Sequence, residues 1–290
     1  MFQKIKVQEN VPLKEHTTIK IGGPAKYFLR ALSEDELSAA LSEAKQNNIK
    51  TLVLGGGSNI IFSDDGFDGL VIKNEIKNIK SGGLWITAGA GINLNELVAA
   101  ATENELSGLE FLAGIPGTVG GAIWMNAGGN KEAIGNFVKE VYFLDHEFKP
   151  QKYSQAECEF RYRHSKFQEM VYIITGAKFE LEKNSQDRIQ KIVEEKIREK
   201  QINQDLNHPS AGCIFKNPEG EKSAAQLIED LDLKGMKMGD IQISPIHANY
   251  LINKGNASSD DVIMMISLIK QKVRTNFNIQ LQEEVQLIGL

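Results

Sequence analysis

The stretch from Leu109 to Gly129 limits the fold of this chain more than any other. It reads Leu-Glu-Phe-Leu-Ala-Gly-Ile-Pro-Gly-Thr-Val-Gly-Gly-Ala-Ile-Trp-Met-Asn-Ala-Gly-Gly, with six glycines and mostly apolar residues between them. A flexible linker is polar as well as glycine-rich, so this stretch is expected to be buried or half-buried. Glycine allows positive φ and close approach of the backbone to a ligand. A turn whose N–H groups point outward together makes a concavity for anions, strongest where a helix begins. Two readings stand: a loop from Gly114 to Gly121 that wraps a pyrophosphate, or a tight buried turn between packed elements.

A second glycine cluster lies upstream. Thr51-Leu52-Val53-Leu54 has the character of a short buried strand and opens onto Gly55-Gly56-Gly57-Ser58-Asn59. A strand running into three glycines suits phosphate held by main-chain N–H groups. No Gly-Lys-Ser/Thr follows, so it is not a P-loop. No helical pattern follows either, so it is not a Rossmann fingerprint.

The remaining pattern is mixed. Lys26 to Leu32 alternates as a strand, and Ser33 with Glu36 forms a capping box for a helix reaching about Asn47. Asn93 with Glu96 opens another, whose apolar face is Leu94, Leu97, Val98 and Ala101. Strands are expected at 71–72, 84–87, 140–144 and 171–181. A charged helix is expected over 187–203, with Ile189, Ile192, Val193 and Ile197 as its stripe. The last third predicts a helix from Ser223, a strand near 250–252 and a long helix from Ser259, faced by Val262, Met265, Ile266, Ile269 and Val273. A closing strand over 279–288 ends the chain.

Net charge is −5 and hydrophobic residues make up 41% of the chain. That balance gives no nucleic-acid footprint, no apolar run long enough to span a bilayer and no signal peptide in Met1 to Lys6. The expectation is a cytoplasmic protein with no membrane or obligate protein partner. Cys158 and Cys213, outside any CxxC spacing, predict neither a disulfide framework nor zinc. The five histidines are scattered, and no metal is expected.

Three clusters then coincide: Leu54-Gly55-Gly56-Gly57-Ser58-Asn59, Gly114-Ile115-Pro116-Gly117-Thr118-Val119-Gly120-Gly121 and Cys213-Ile214-Phe215-Lys216-Asn217-Pro218, with Thr17-Thr18-Ile19-Lys20-Ile21-Gly22-Gly23-Pro24-Ala25 near the start. In this order, over nearly the whole chain, they resemble the UDP-N-acetylenolpyruvoylglucosamine reductases. The resemblance implies an α+β fold: an FAD-binding domain of the vanillyl-alcohol-oxidase/PCMH type in two subdomains, plus a C-terminal α+β substrate domain. The domains are expected at 1–190, divided near residue 75, and at 200–290. The short spacing from Arg163 to Cys213 resembles the shorter variety of the family, which lacks an inserted loop that folds over the substrate.

The implied cofactors are FAD and NADPH, and the implied substrate is the enolpyruvyl ether of UDP-N-acetylglucosamine. Leu54, Gly55, Gly56, Gly57, Ser58 and Asn59, together with Gly114, Ile115, Pro116, Gly117, Thr118, Gly120, Gly121 and Ala122, would bind FAD. Arg163 matches the family's catalytic arginine, and a guanidinium suits a carboxylate. Glu284 matches its glutamate, although Glu283 stands where the family commonly has proline. Lys216 and Asn217 would hold the substrate. Cys213 stands where the family usually has the serine that protonates C2. A thiol, with an ordinary pKa of roughly 8.5, keeps its proton at neutral pH and can serve as that acid. A flavin oxidase of the same superfamily would need neither the Lys-Asn-Pro segment nor the C-terminal glutamate. A non-catalytic nucleotide-binding module would need neither Arg163 nor Glu284.

Overall fold

The computed structural model describes residues 2, 5–129 and 132–290. Of the Met1 to Lys6 opening, Met1, Gln3 and Lys4 lie outside the described residues. Contacts divide the chain into two compact units. One comprises the residues up to Gln8, Tyr27–Gly56 and Gly69–Lys200; the other comprises Glu9–Lys26, Gly57–Asp68 and Gln201–Leu290.

The first unit holds two hydrophobic cores. In one, helix α1 (Glu34–Gln46) lays Leu37, Ala40, Leu41 and Ala44 on Tyr27, Ala31, Leu70 and Ile72. Ser33 starts this helix as its side chain accepts the Glu36 N–H at 3.1 Å. Strand Thr51–Leu54 pairs in parallel with its neighbour, so that Leu54 lies opposite Lys73. The other core rests on a five-stranded antiparallel sheet in the order Pro150–Ser154, Val138–Leu144, Ile173–Glu180, Trp85–Gly89, Ile79–Gly82. Helix α2 (Leu94–Glu103), short helix α3 (Val119–Met125) and helix α4 (Gln186–Asn203) contribute apolar side chains to it. The α4 stripe is narrower than its pattern predicts: Ile189 and Val193 are buried, while Ile197 is exposed.

The second unit is built on a four-stranded antiparallel sheet ordered Ser210–Cys213, Tyr250–Asn253, Ile241–Ile243, Lys237–Met238. Helices α5 (Ala224–Glu229) and α6 (Ser259–Phe277) pack on it through Leu227, Ile228, Val262, Met265, Ile266, Ile269 and Val273. Ile19, Ile21 and Ile61, from two segments far upstream, join the same core.

The closing strand is shorter than its alternation suggests. After α6 ends at Asn278 in the left-handed conformation, only Gln286–Ile288 forms a strand, parallel to Ile60–Phe62. Residues 279–285 bury Leu281 and Val285 as alternation requires, but an isolated bridge from Phe215 to Glu283 replaces the ladder. The physical reason is the partner. This segment lies along the irregular chain after Cys213, which offers only a few groups in register.

Candidate active site

In the first unit the two glycine clusters meet. An added Cβ at Gly56 would lie 2.7 Å from the Gly117 Cα, and one at Gly55 would lie 2.6 Å from the Thr118 Oγ1. No real side chain fits such gaps, so these glycines are explained by loop packing on loop. Gly120 is likewise closed, by Ala90 at 2.9 Å. The tight-turn reading therefore accounts for part of the glycine content.

Most backbone donors from Gly114 to Ala122 are already engaged. Gly114 N–H donates to Asn95 Oδ1, Ile115 to Leu112 O, Val119 to Ile92 O, Gly120 to Ala90 O and Ala122 to Thr118 O. Pro116 has no N–H. Among the described residues, the N–H groups of Gly117, Thr118 and Gly121 are left for a ligand. Beside them the Thr118 hydroxyl is buried and has no hydrogen-bond partner among the described residues. An added Cβ at Gly121 would meet only that hydroxyl, at 3.8 Å. A buried hydroxyl left without a partner costs about 1–3 kcal/mol, so this corner is made to meet a polar group.

Arg163 lies in the same unit, at the tip of a tight hairpin. Arg161 and His164 exchange both backbone hydrogen bonds, at 3.0 and 3.1 Å, and Arg163 takes a φ of +52°. Three side chains hold the hairpin to the end of α3. Asn126 donates to Arg161 O, Ser165 donates to Trp124 O, and Gln168 donates to both Trp124 O and Arg163 O. The Arg163 guanidinium carbon lies 5.3 Å from the Tyr162 ring centroid. The neighbouring Arg161 lies 3.8 Å from each of Glu159 and Glu169 in exposed ion pairs.

In the second unit, residues 214–216 lie beside 282–284. Glu284 N–H donates to Ile214 O at 2.7 Å, and Lys216 N–H donates to Gln282 O at 2.9 Å. Half-buried Cys213 immediately precedes this pairing, so Cys213, Lys216 and Glu284 are carried on adjacent backbone. Buried Asn249 fixes it: its Oδ1 accepts from Phe215 N–H and its Nδ2 donates to Phe215 O. Asn59, assigned to the cofactor from its motif, lies in this unit with its Nδ2 on Glu284 O at 3.1 Å. Gly57 also belongs here, its carbonyl accepting from Thr18 N–H. Asn217 is exposed, and its Oδ1 accepts the Ala224 N–H at the start of α5. Glu283 is ion-paired with Lys270 at 2.6 Å, which separates its role from that of Glu284.

Asn249, Asn126, Ser165 and Gln168 were not among the residues expected at the site. The signal for Asn249 is an amide in an apolar run, Ala248-Asn249-Tyr250-Leu251-Ile252, because a buried amide must find partners. Cys158 is fully buried, and burial pushes its thiol up to about 12, so it stays protonated and inert. Among the described residues no cluster of three or more His, Cys, Asp or Glu could hold a metal, and no helix is long and apolar enough to cross a membrane.

Residues 204–288 match the C-terminal domain of UDP-N-acetylenolpyruvoylglucosamine reductase, and residues 25–147 match an FAD binding domain. A reductase of that name from Clostridium novyi is 36% identical over the whole chain and 94% of its own length. One from Carboxydothermus hydrogenoformans is 41% identical, over 98% of this chain and 94% of its own. The chain belongs to the UDP-N-acetylenolpyruvoylglucosamine reductase family. It is thus a flavin-dependent oxidoreductase. The crystal structure of the family member from Thermus caldophilus superposes with a TM-score of 0.84 at 33% identity, covering 98% of this chain and 99% of that one. This agrees with the expected α+β architecture of FAD-binding part and C-terminal domain. The unpartnered Thr118 hydroxyl and the free N–H groups of Gly117 and Gly121 fit the phosphates of FAD.

Proposed function

We propose that this enzyme reduces the enolpyruvyl ether of UDP-N-acetylglucosamine to UDP-N-acetylmuramate, with NADPH as hydride source, in cytoplasmic synthesis of peptidoglycan precursors. The observation that carries the reading is the pairing of residues 214–216 with 282–284, which puts a thiol, an ammonium and a carboxylate on adjacent backbone. Reduction of an enol ether asks for that set. FAD, when bound, would accept a hydride from NADPH and supply one to C3 of the enolpyruvyl group.

Addition at C3 drives negative charge onto C2 and its carboxylate. Arg163, on its αL hairpin, would bind that carboxylate through its planar fork of donors. Cys213 Sγ–H would deliver the proton to C2, leaving a thiolate to be reprotonated from solvent. Glu284 would polarise the same intermediate, and Lys216, with Asn217, would hold anionic groups of the UDP-sugar. Thr118 Oγ1 and the N–H groups of Gly117, Thr118 and Gly121 would face the pyrophosphate of FAD, next to the Leu54–Gly55–Gly56 turn.

An anaerobic experiment tests the whole. NADPH is added until the flavin absorbance bleaches, and then the enolpyruvyl UDP-sugar is mixed in. Return of the oxidised spectrum without oxygen is the expected result. A flavin that stays bleached until air is admitted would put an oxidase in place of the reductase.

A further inference from the structure

The catalytic reading leaves Lys200 unused, although it is held in an unusual way. It lies on the last turn of α4, and its Nζ donates to Phe111 O at 3.2 Å and also to Ala113 O. These are the carbonyls just before Gly114. The stem of the side chain closes the far side of the loop, since a Cβ at Gly114 would meet Lys200 Cδ at 3.2 Å and Ile197 Cγ1 at 3.9 Å. The intervening groups are also engaged. Ala113 N–H donates to Glu110 O, Ile115 N–H to Leu112 O and Gly114 N–H to Asn95 Oδ1. Residues 110–115 are thus pinned from three sides, and Lys200 supplies the only cation in that set of bonds.

We infer that Lys200 is a positioning residue for the flavin, its ammonium fixing the Phe111–Ala113 carbonyls so that Gly117 and Thr118 present their free donors to the phosphates. This rests on the reading that the loop holds FAD. A charge is needed rather than mere bulk for two reasons. Ion–carbonyl bonds are stronger than neutral ones, and a cation behind the loop favours a dianion in front of it. The site charges the lysine for this: burial pushes its ammonium down to about 8, with Lys196 lowering it and Glu199 raising it. From the loop the Phe111 and Ala113 carbonyls face it. Glu110 is spent on Ser107 Oγ and Gly108 N–H. Lys200 is therefore cationic at neutral pH and becomes a neutral amine within the alkaline range, where the clamp weakens.

The test is FAD affinity of the full chain, followed by flavin fluorescence from about pH 6.5 to about pH 9.5, for wild type, K200R and K200M. An arginine stays charged throughout. Wild type is expected to bind FAD less tightly as pH rises through about 8, while K200R keeps a flat profile. K200M, which removes both charge-assisted hydrogen bonds, is expected to bind roughly tenfold or more weakly at neutral pH. Superposable profiles for wild type and K200R would overturn the inference, as would full affinity in K200M. The wild-type and K200R arm does not depend on K200M folding. If wild type binds no FAD at any pH, the flavin-loop reading fails instead, and that outcome is plain before any variant is measured.

Discussion

Gly56 and Asn249 each decide how closely two irregular segments approach, but by opposite means. Gly56 does so by having no side chain: a Cβ there would lie only 2.7 Å from the Gly117 Cα. Asn249 does so with its side chain, spanning the N–H and C=O of Phe215. Around Gly56 the region is main chain packed on main chain, and the polar groups it leaves unused are backbone donors and one hydroxyl. Around Asn249 the region is a scaffold that carries Cys213, Lys216 and Glu284 on adjacent backbone. The first kind of site tolerates no added atom and reads little from side-chain identity. The second tolerates changes of side chain at the price of chemistry. For one chain that must hold a large, invariant cofactor and also act on a particular substrate, the division is physically sensible.

The largest expected effect breaks the side-chain region alone. Cys213→Ala should slow reoxidation of the bleached flavin by the UDP-sugar by the 10²–10⁴-fold of general acid catalysis, about 3–5 kcal/mol. Bleaching by NADPH should proceed at the native rate, because the loop region is untouched. Cys213→Ser should restore most of the loss. Stopped-flow traces of the two half-reactions separate these outcomes. An alanine variant as fast as wild type would remove the thiol from the mechanism. Iodoacetamide should report the same asymmetry, modifying half-buried Cys213 and sparing Cys158, whose proton burial holds on.

Breaking the other region should give the complementary phenotype. Gly56→Ala puts a methyl group against backbone at 2.7 Å, and backbone cannot rotate away as a flexible side chain can. Overpacking of this kind costs about 1–3 kcal/mol. The displaced Gly117 and Thr118 donors should release FAD on dilution, which spectrophotometry of the filtered protein would show. Thiol accessibility at Cys213 should stay unchanged. A variant that keeps its flavin at native affinity would mean that contact between the two loops is not what aligns the phosphate donors.

The same contrast governs what was legible in the sequence. Local chemistry was readable. Ser33 and Asn93 start helices where expected, the α6 stripe is the buried one, and the absence of a helix after Asn59 is matched by the strand Ile60–Phe62. Glycine density pointed to close backbone approach, but sequence alone could not divide the glycines that admit a neighbouring loop from those that face a ligand. That division depends on what lies across from each Cα. The clamps were unreadable for the same reason. Asn249 and Asn126 bond to groups 34 and 35 positions away, and no local rule names such a partner. Residues 279–285 show the limit most clearly. Alternation predicted which side chains would be buried, whereas ladder formation depended on the irregular segment that lies beside them.

The smallest expected effect concerns acid. His247 precedes the Asn249 clamp, its Nδ1 accepting from Asn249 N–H at 3.3 Å and its ring 4.6 Å from that of Tyr250. Burial, chiefly, lowers its pKa below the ordinary 6.5, with Lys234 adding to the fall and Glu229 opposing it. The unfolded chain therefore takes up a proton at a higher pH than the folded one. By linkage the stability present above about 6.5 is lost progressively as pH falls through the folded value. Protonation would also take the lone pair from Asn249 N–H, so acid should loosen the Asn249 clamp while the glycine contacts, which include no titratable side chain, hold. The check is Tm measured from about pH 7.5 to about pH 5 for wild type and His247→Gln, since the difference in slope isolates this group from the carboxylates both proteins share. The variant should show the shallower decline. Equal slopes would mean that His247 is as easily protonated in the fold as out of it, and the side-chain region would then be no more sensitive to acid than the main-chain one.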